Sequence, residues 1–360
     1  MSSNLRLPSE KLFASELEAL RAQDKGHRPE NWRLSPKAVV TYILGGKLSD
    51  GTEITAKYVG NRKLVETAVA TLATDRALLL LGVPGTAKSW LSEHLAAAIS
   101  NDSQLLVQCT AGTDDTAIRY GWNYAKLLAE GPSEGAIVRT PLMRGMKEGR
   151  IVRFEELTRM ASDVQDTLIT VLSEKTLPVP ELAISVEAMR GFNIIATANN
   201  KDKGVNDLSS ALKRRFNVVV LPLTASADEE RLIVAKRVRE IGTGLQLPDV
   251  ASPEEEIGRV VTMFRELRDG LTEDGRQKLK SPSGSLSTAE AISVMVGAWS
   301  EAGHFGSGAI DAEALAGNLV GAVVKDPVQD AIVLREYLET VVKGRRGWGD
   351  LYRAINEVAA

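Results

Sequence analysis

Residues 82–89 read GVPGTAKS, set between the apolar run LLLL at 78–81 and a helical pattern that continues through Ala98. A strand, a glycine-containing bend, a lysine, a hydroxyl and a helix in that order suit the cradling of a polyphosphate. Gly82 ends the strand, and Gly85 gives the backbone the freedom to curl its N–H groups around phosphate oxygens. Lys88 reaches the terminal phosphates, Ser89 places its hydroxyl on Mg²⁺, and the helix aims its N-terminus at the same anion. The pattern G-x-x-x-x-G-K-[ST] wants glycine at 87, where this chain has alanine. Near-helical dihedrals at that junction would make a methyl group cheap there. The competing reading is a glycine-rich turn with an incidental lysine.

Hydrolysis needs acid near the ion and the attacking water, and RIVRFEE at 150–156 supplies two carboxylates after an apolar stretch. Glu155 would hold the ion through its waters and Glu156 would polarise the attacking water. The plainer alternative is an acidic helix start, favoured by the helix dipole. FNIIATANN at 192–200 ends a strand at the polar Asn199, which could sit beside Glu156 and hold the water or the γ-phosphate. A loop-capping asparagine is the alternative there. SSALKRRFN then places Lys213, Arg214 and Arg215 at the end of a helix. They are ordinary at a helix C-terminus, yet one could also reach the nucleotide of a neighbouring subunit.

These positions need a scaffold, and the hydrophobic pattern describes one. Short, nearly continuous apolar runs at 77–83, 104–109, 192–198 and 217–222 read as strands buried on both faces. RIVRF at 150–154 is a fifth, interrupted by Arg153. Helical patterns at 61–74, Ser89–Ile99, Thr158–Leu172 and Asp207–Arg215 alternate with them, which predicts an α/β fold with a mostly parallel sheet. IRYGWNYAKLLAEG at 118–131 reads as an aromatic-rich helix, and LPVPELAISVEAMRG at 177–191 as a hairpin on the rim. From Ala225 the period turns helical, with five candidate helices, several opening on a capping signature. The expected organisation is an N-terminal extension over 1–50, an α/β core over 51–224, an all-helical domain over 225–345 and a C-terminal helix over 346–360.

Composition narrows the function classes. With 360 residues, 44% hydrophobic and 25% charged, the chain can bury a large core. A net charge of −3 gives no support to a general nucleic-acid binder. The single cysteine, Cys109, excludes an internal disulfide and a cysteine-built metal site, and its place at a strand end predicts a buried, inert thiol. The first residues lack a signal-peptide pattern and no apolar run is long enough to span a bilayer, so a cytoplasmic protein without membrane insertion is expected.

Over about residues 50–345 the chain resembles AAA+ ATPases of the MoxR family, in the helix-2-insert group that also contains magnesium-chelatase ATPase subunits. The resemblance implies that GVPGTAKS is the Walker A loop, with Gly82, Val83, Pro84, Gly85, Thr86, Ala87, Lys88, Ser89 and Trp90 binding ATP. Alanine before the lysine is common in that family. FEELTR resembles the family's Asp-Glu-x-x-Arg, implying Glu155 and Ser89 on Mg²⁺, Glu156 on the water and Arg159 at an interface. Glu155 departs from the usual aspartate, and its extra methylene must be absorbed locally. ATANN resembles the sensor-1 strand, with Asn199 as sensor. RRF resembles Asp-Arg-Phe, which implies Arg215 as arginine finger and puts Arg214 at the interface where an acid is usual. YVGNRK at 58–63 resembles the Val-Gly motif beside adenine, implying Val59 and Gly60. Residues 120–148 would contain the helix-2 insert, 173–191 the hairpin before sensor 1, and the helical domain the lid. At the sensor-2 helix, where many relatives carry arginine, this chain has Ala289.

The same resemblance implies a homo-oligomeric ring, expected to be a hexamer, that assembles or activates a protein client, often with a von Willebrand factor A domain partner. Three other readings remain open at this point. One is a DNA-handling motor, for which Arg139, Arg144, Lys147, Arg150 and Arg153 supply charge without interleaved aromatic residues. Another is a nucleotide-switched scaffold with little hydrolysis, motivated by Glu155 and Ala289. A third is a metal-inserting subunit of the magnesium-chelatase type.

Overall fold

The computed structural model describes residues 5–199, 206–251 and 253–359. The five apolar runs form one parallel sheet of β1 (Ala77–Gly82), β2 (Leu106–Gln108), β3 (Ile151–Glu155), β4 (Asn193–Asn199) and β5 (Phe216–Val220). Their spatial order is β5-β1-β4-β3-β2. The fold is α/β, as the pattern predicts.

Two compact units make up the chain, one comprising Arg6–Val83 and Ala87–Pro222, the other built on Leu223–Ala360. In the sheet-containing unit, side chains alternate between two cores, as the strand period of two requires. Ala77, Leu79, Val152, Phe154, Ile194 and Ala196 enter one core. Leu78, Leu80, Ile151 and Ile195 enter the other, together with Leu91 and Leu95 of helix Lys88–Ser100. By the same alternation Arg153, Glu155 and Thr197 fall on the face that meets this helix.

The second core explains the N-terminal residues. Pro36–Leu44 is a helix because Ser35 caps it and proline opens it. It buries Val39, Val40, Tyr42 and Ile43 in the same core as the sheet. The Tyr42 hydroxyl lies 3.0 Å from His94 Nδ1 on helix Lys88–Ser100. Phe13 and Trp90 pack edge-on against the same imidazole. Further out, the Ser9 hydroxyl donates to Glu93 at 2.7 Å. Residues 9–44 thus pack on the outer face of the helix that begins at Lys88.

Three helix assignments change. The stretch 118–131 contains a strand, Tyr120–Trp122, paired antiparallel with Ile137–Arg139, and only then a helix, Tyr124–Glu130, capped by Asn123. The aromatic residues at 120 and 122 prefer a pleated surface to a helix. Thr158–Leu172 is broken into a 3-10 turn Leu157–Arg159 and two helices, Ser162–Asp166 and Leu168–Glu174, because Met160 and Ala161 are extended. Asp207–Arg215 shortens to Ser210–Lys213, since Ser209 caps the helix by accepting from the Leu212 N–H. The rim hairpin is present as Thr176–Val179 against Ile184–Glu187.

The other unit is helical, with Ala227–Gly244, Glu254–Asp269, Thr288–His304, Ala312–Val323, Gln329–Tyr337 and Gly349–Ala359 around one core. Ser287 and Glu290 close a reciprocal capping box at the third of these helices. Ala289 lies exposed in its first turn.

Tyr42→Phe keeps the packed ring and removes only the hydroxyl facing His94. It should cost about 1–2 kcal/mol, read as a lower urea midpoint for the sheet-containing unit. An unchanged midpoint would rule out a stabilising contact.

Candidate nucleotide site

The parallel sheet brings the loop ends of its strands to one edge, the usual ligand edge of an α/β sheet. In register, Asn199 is level with Gly82, and Gln108 with Glu155. Gly82, Glu155 and Asn199 therefore share that edge. Asn200, next in the ATANN stretch, lies outside the described residues.

Between Gly82 and Lys88 the chain turns through Gly85, with φ +82°, and Ala87, with φ +60°. Ala87 is left-handed (ψ 26°), so the expectation of near-helical dihedrals is wrong. A methyl in that region costs of order 1–3 kcal/mol and persists only where its surroundings impose it. Ala87 is also the N-cap residue of helix Lys88–Ser100, and no side chain caps that end. Lys88 Nζ folds back over the bend and donates to the carbonyls of Gly82, at 3.0 Å, and Val83, at 2.8 Å. A cation, a bent backbone and a helix N-terminus are thereby placed together, the arrangement that binds phosphate.

Glu155 is almost fully buried, with 3% of its surface exposed, and each carboxylate oxygen is accounted for. Oε2 accepts from the Ser89 hydroxyl at 2.6 Å and from Thr197 Oγ1 at 2.7 Å. Oε1 accepts from Ser92 Oγ at 2.5 Å and from an Arg153 guanidinium nitrogen at 2.8 Å. Burial alone would push the carboxyl pKa up. The Arg153 charge and the three hydroxyls of Ser89, Ser92 and Thr197 outweigh it and hold the pKa below the ordinary glutamate value.

Glu156 follows in the left-handed region at φ +58°, and its N–H donates to Thr197 Oγ1 at 3.0 Å. Its carboxylate is half-exposed and ion-paired with Arg159. Arg215 donates to Ser173 Oγ and to the Ala211 carbonyl, both at 2.7 Å, while Arg214 is exposed. Trp90 Nε1 donates to the Lys57 carbonyl at 2.8 Å. That bond ties the segment leading into Val59 and Gly60 to the start of the helix. Val59 and Gly60 are exposed beside the buried Tyr58.

The Ser89 hydroxyl and Glu155 Oε2 form a pair of hard oxygen donors. Among the described residues no group of three or more His, Cys, Asp or Glu could hold a metal. The donor set therefore fits an ion that keeps most of its waters and takes its other ligands from phosphate, which is how Mg²⁺ is usually held.

Residues 77–216 match the family model described as "AAA domain (dynein-related subfamily)", and residues 229–358 match "YehL-like AAA+ ATPase C-terminal domain". The Escherichia coli (strain K12) protein YehL is 40% identical over 362 residues, covering 97% of this chain and 96% of that protein. The chain belongs to the YehL-like AAA+ ATPases. A Staphylococcus aureus (strain USA300) protein is 29% identical over 153 residues, 42% of this chain and 57% of its own length. NtrX from Brucella abortus, solved in complex with ATP, aligns over 82% of this chain and 64% of its own at a TM-score of 0.49 and 14% identity.

In this YehL-like chain Ser92, Thr197 and Arg153 are partners of Glu155 that the sequence pattern did not single out. Arg153 does signal itself, being a charged residue inside an apolar strand two positions before an acid, hence on the same face. Other members of the basic stretch are also paired: Arg150 with Asp102 at 2.8 Å, Arg144 with Glu148 at 3.6 Å and Lys147 with Glu134 at 4.0 Å.

Cys109 is buried at the end of β2, where burial first, and then the charges of Glu155 and Glu156, push its thiol up to about 12. A disulfide reagent at pH 8 should therefore leave the folded protein unmodified and titrate one thiol after unfolding in guanidinium. Rapid labelling of the native chain would contradict this burial.

Proposed function

We propose that this chain is an ATP-hydrolysing AAA+ ring that remodels, assembles or activates a protein client. The observation that carries the nucleotide chemistry is the Ser89–Glu155 contact, which sets a hydroxyl and a carboxylate beside the lysine-bearing bend. Lys88 and the loop from Gly82 to Ser89 would hold the phosphates, and Val59, Gly60 and Trp90 would line the base. Mg²⁺, held by Ser89 and by Glu155 through water, would supply charge to the β- and γ-phosphates. Glu156 would polarise the attacking water after leaving Arg159, with Asn199 at the neighbouring strand end. Arg215, half-exposed and held by hydrogen bonds of its own chain, would extend to complete a neighbouring subunit's site.

The MoxR-family resemblance supports the finer reading: a ring, expected to be a hexamer, a von Willebrand factor A domain partner, and action on protein. The pairing of Arg144, Lys147, Arg150 and Arg153 with acids, four of the five basic residues of the stretch, argues against nucleic acid as the client. Among the described residues no helix is long and apolar enough to cross a membrane; a cytoplasmic setting is part of the proposal. The Glu156–Arg159 ion pair favours one alternative, a nucleotide-switched scaffold with little basal turnover.

Lys88→Ala should weaken ATP binding by about tenfold or more, since a charge-assisted contact is lost. Equilibrium titration reads this, and unchanged affinity in a folded variant would sink the site. Glu156→Gln should keep ATP binding but lose turnover by about 100-fold. Loss of turnover on Glu155→Gln with Glu156→Gln spared would exchange the two roles.

Arg215→Ala should bind ATP nearly as the parent does yet hydrolyse it poorly. Mixing it with Glu156→Gln should recover activity that neither variant has alone, because some interfaces then carry both groups. No recovery, with a monomeric mass in ATP, would overturn the ring.

A further inference from the structure

Arg153 stands in the middle of β3 with 5% of its surface exposed, among residues that are otherwise apolar up to Glu155. Its guanidinium donates in three directions. Nε goes to Ser92 Oγ at 3.0 Å, and Nη1 to the Ser103 carbonyl at 3.0 Å. Nη2 goes to the Ser89 carbonyl at 3.1 Å and to Glu155 Oε1 at 2.8 Å. One side chain thus links β3 to the first turn of helix Lys88–Ser100, to the segment after that helix, and to the acid two residues on.

The two oxygens of Glu155 divide accordingly. Oε1 is committed to Arg153 of β3 and to Ser92 of helix Lys88–Ser100. Oε2 faces the Ser89 hydroxyl and Thr197 Oγ1, and Thr197 in turn receives the Glu156 N–H. A glutamate here reaches one methylene further than an aspartate would, by about 1.5 Å of bond length. The Arg153–Ser92 anchor takes up that reach, so that Oε2 stays level with Ser89.

We propose that Arg153 is the positioning residue for the metal-binding carboxylate, setting the reach of Glu155 by holding Oε1 with Ser92 so that Oε2 presents to the ion. This rests on the reading that Ser89 and Glu155 hold nucleotide-bound Mg²⁺. The role needs a planar fork. A lysine would keep the charge but cannot donate to Ser92, Ser103 and Glu155 in one plane. Residues 153 and 155 therefore act as a matched pair. Glu155→Asp, although it installs the shorter acid, loses either the anchor or the contact with Ser89.

The test uses the full chain and two readouts: affinity for a fluorescent ATP analogue in EDTA, and the Mg²⁺ concentration giving half-maximal ATP hydrolysis. A purely structural role would move neither readout selectively. Arg153→Lys is expected to raise the Mg²⁺ half-saturation about tenfold, the usual scale for a supporting shell around a metal site. Affinity in EDTA should change by less than the Mg²⁺ half-saturation does, because the Lys88 bonds to the Gly82 and Val83 carbonyls do not involve Arg153. Glu155→Asp should shift Mg²⁺ in the same sense, and the double variant should be no worse than the worse single variant. Should Arg153→Lys fail to fold, Ser92→Ala removes the other Oε1 anchor without burying a lone charge, and a rise in the Mg²⁺ half-saturation in the same sense is expected.

Wild-type Mg²⁺ half-saturation in folded Arg153→Lys, or in Ser92→Ala where the first does not fold, overturns the proposal, as does strict additivity in the double variant. Glu155→Gln separates the two levels. A Glu155→Gln shift beside unshifted Arg153→Lys and Ser92→Ala removes only the positioning role. No shift in Glu155→Gln removes the metal reading and this proposal together.

Discussion

The Arg153–Glu155 ion pair lies between the sheet and helix Lys88–Ser100, where neither charge reaches bulk water. Burying two ions is costly, and their mutual attraction offsets that cost only when the remaining donors and acceptors are also satisfied. Here they are: Ser89, Ser92, Ser103 and Thr197 complete the set. The result is a geometric constraint. Helix Lys88–Ser100, β3 and β4 are locked at one edge, so the lysine-bearing bend before the helix and the acid after β3 keep a fixed separation.

Two strained backbones flank that constraint. Ala87 and Glu156 both adopt left-handed dihedrals, one before the helix and one immediately after Glu155. Each conformation is disfavoured for a residue with a Cβ, and each is held by what surrounds it. Ala87 is followed by the helix pinned through Ser89 and Ser92. Glu156 has its N–H fixed by Thr197, the same hydroxyl that donates to Glu155. The strain and the hydrogen-bonded cluster are two sides of one arrangement, which turns the chain sharply at the points where phosphate and water chemistry would take place.

On the outer face of the same helix, residues 9–44 complete the enclosure. Phe13, Tyr42 and Trp90 surround His94, and Lys57 Nζ pairs with Glu16 at 2.6 Å while lying over the Phe13 ring. These residues give a helix with little amphipathic contrast a partner on the side away from the sheet. The LAAAI run at 95–99 in its second half is explained by that double burial, since a helix covered all round has no face to keep polar.

Much of this was legible in the sequence because it is local. The five strands, the bend with its lysine and serine, the paired acids, the polar end of β4 and the caps of the helical unit each follow from spacing over a few residues. The α/β class follows from strand and helix periods alternating along the chain. What local pattern could not decide was the meaning of exceptions. Arg153 reads as an interruption until the helix and Ser103 are in place around it. Ala87 reads as a helix former until the bend forces it left-handed. Tyr120–Trp122 reads as helix until Ile137–Arg139 arrives to pair with it. For Arg153 and for Tyr120–Trp122 the deciding partner is distant in sequence, and a buried charge or a strand edge has no stable meaning until that partner is present.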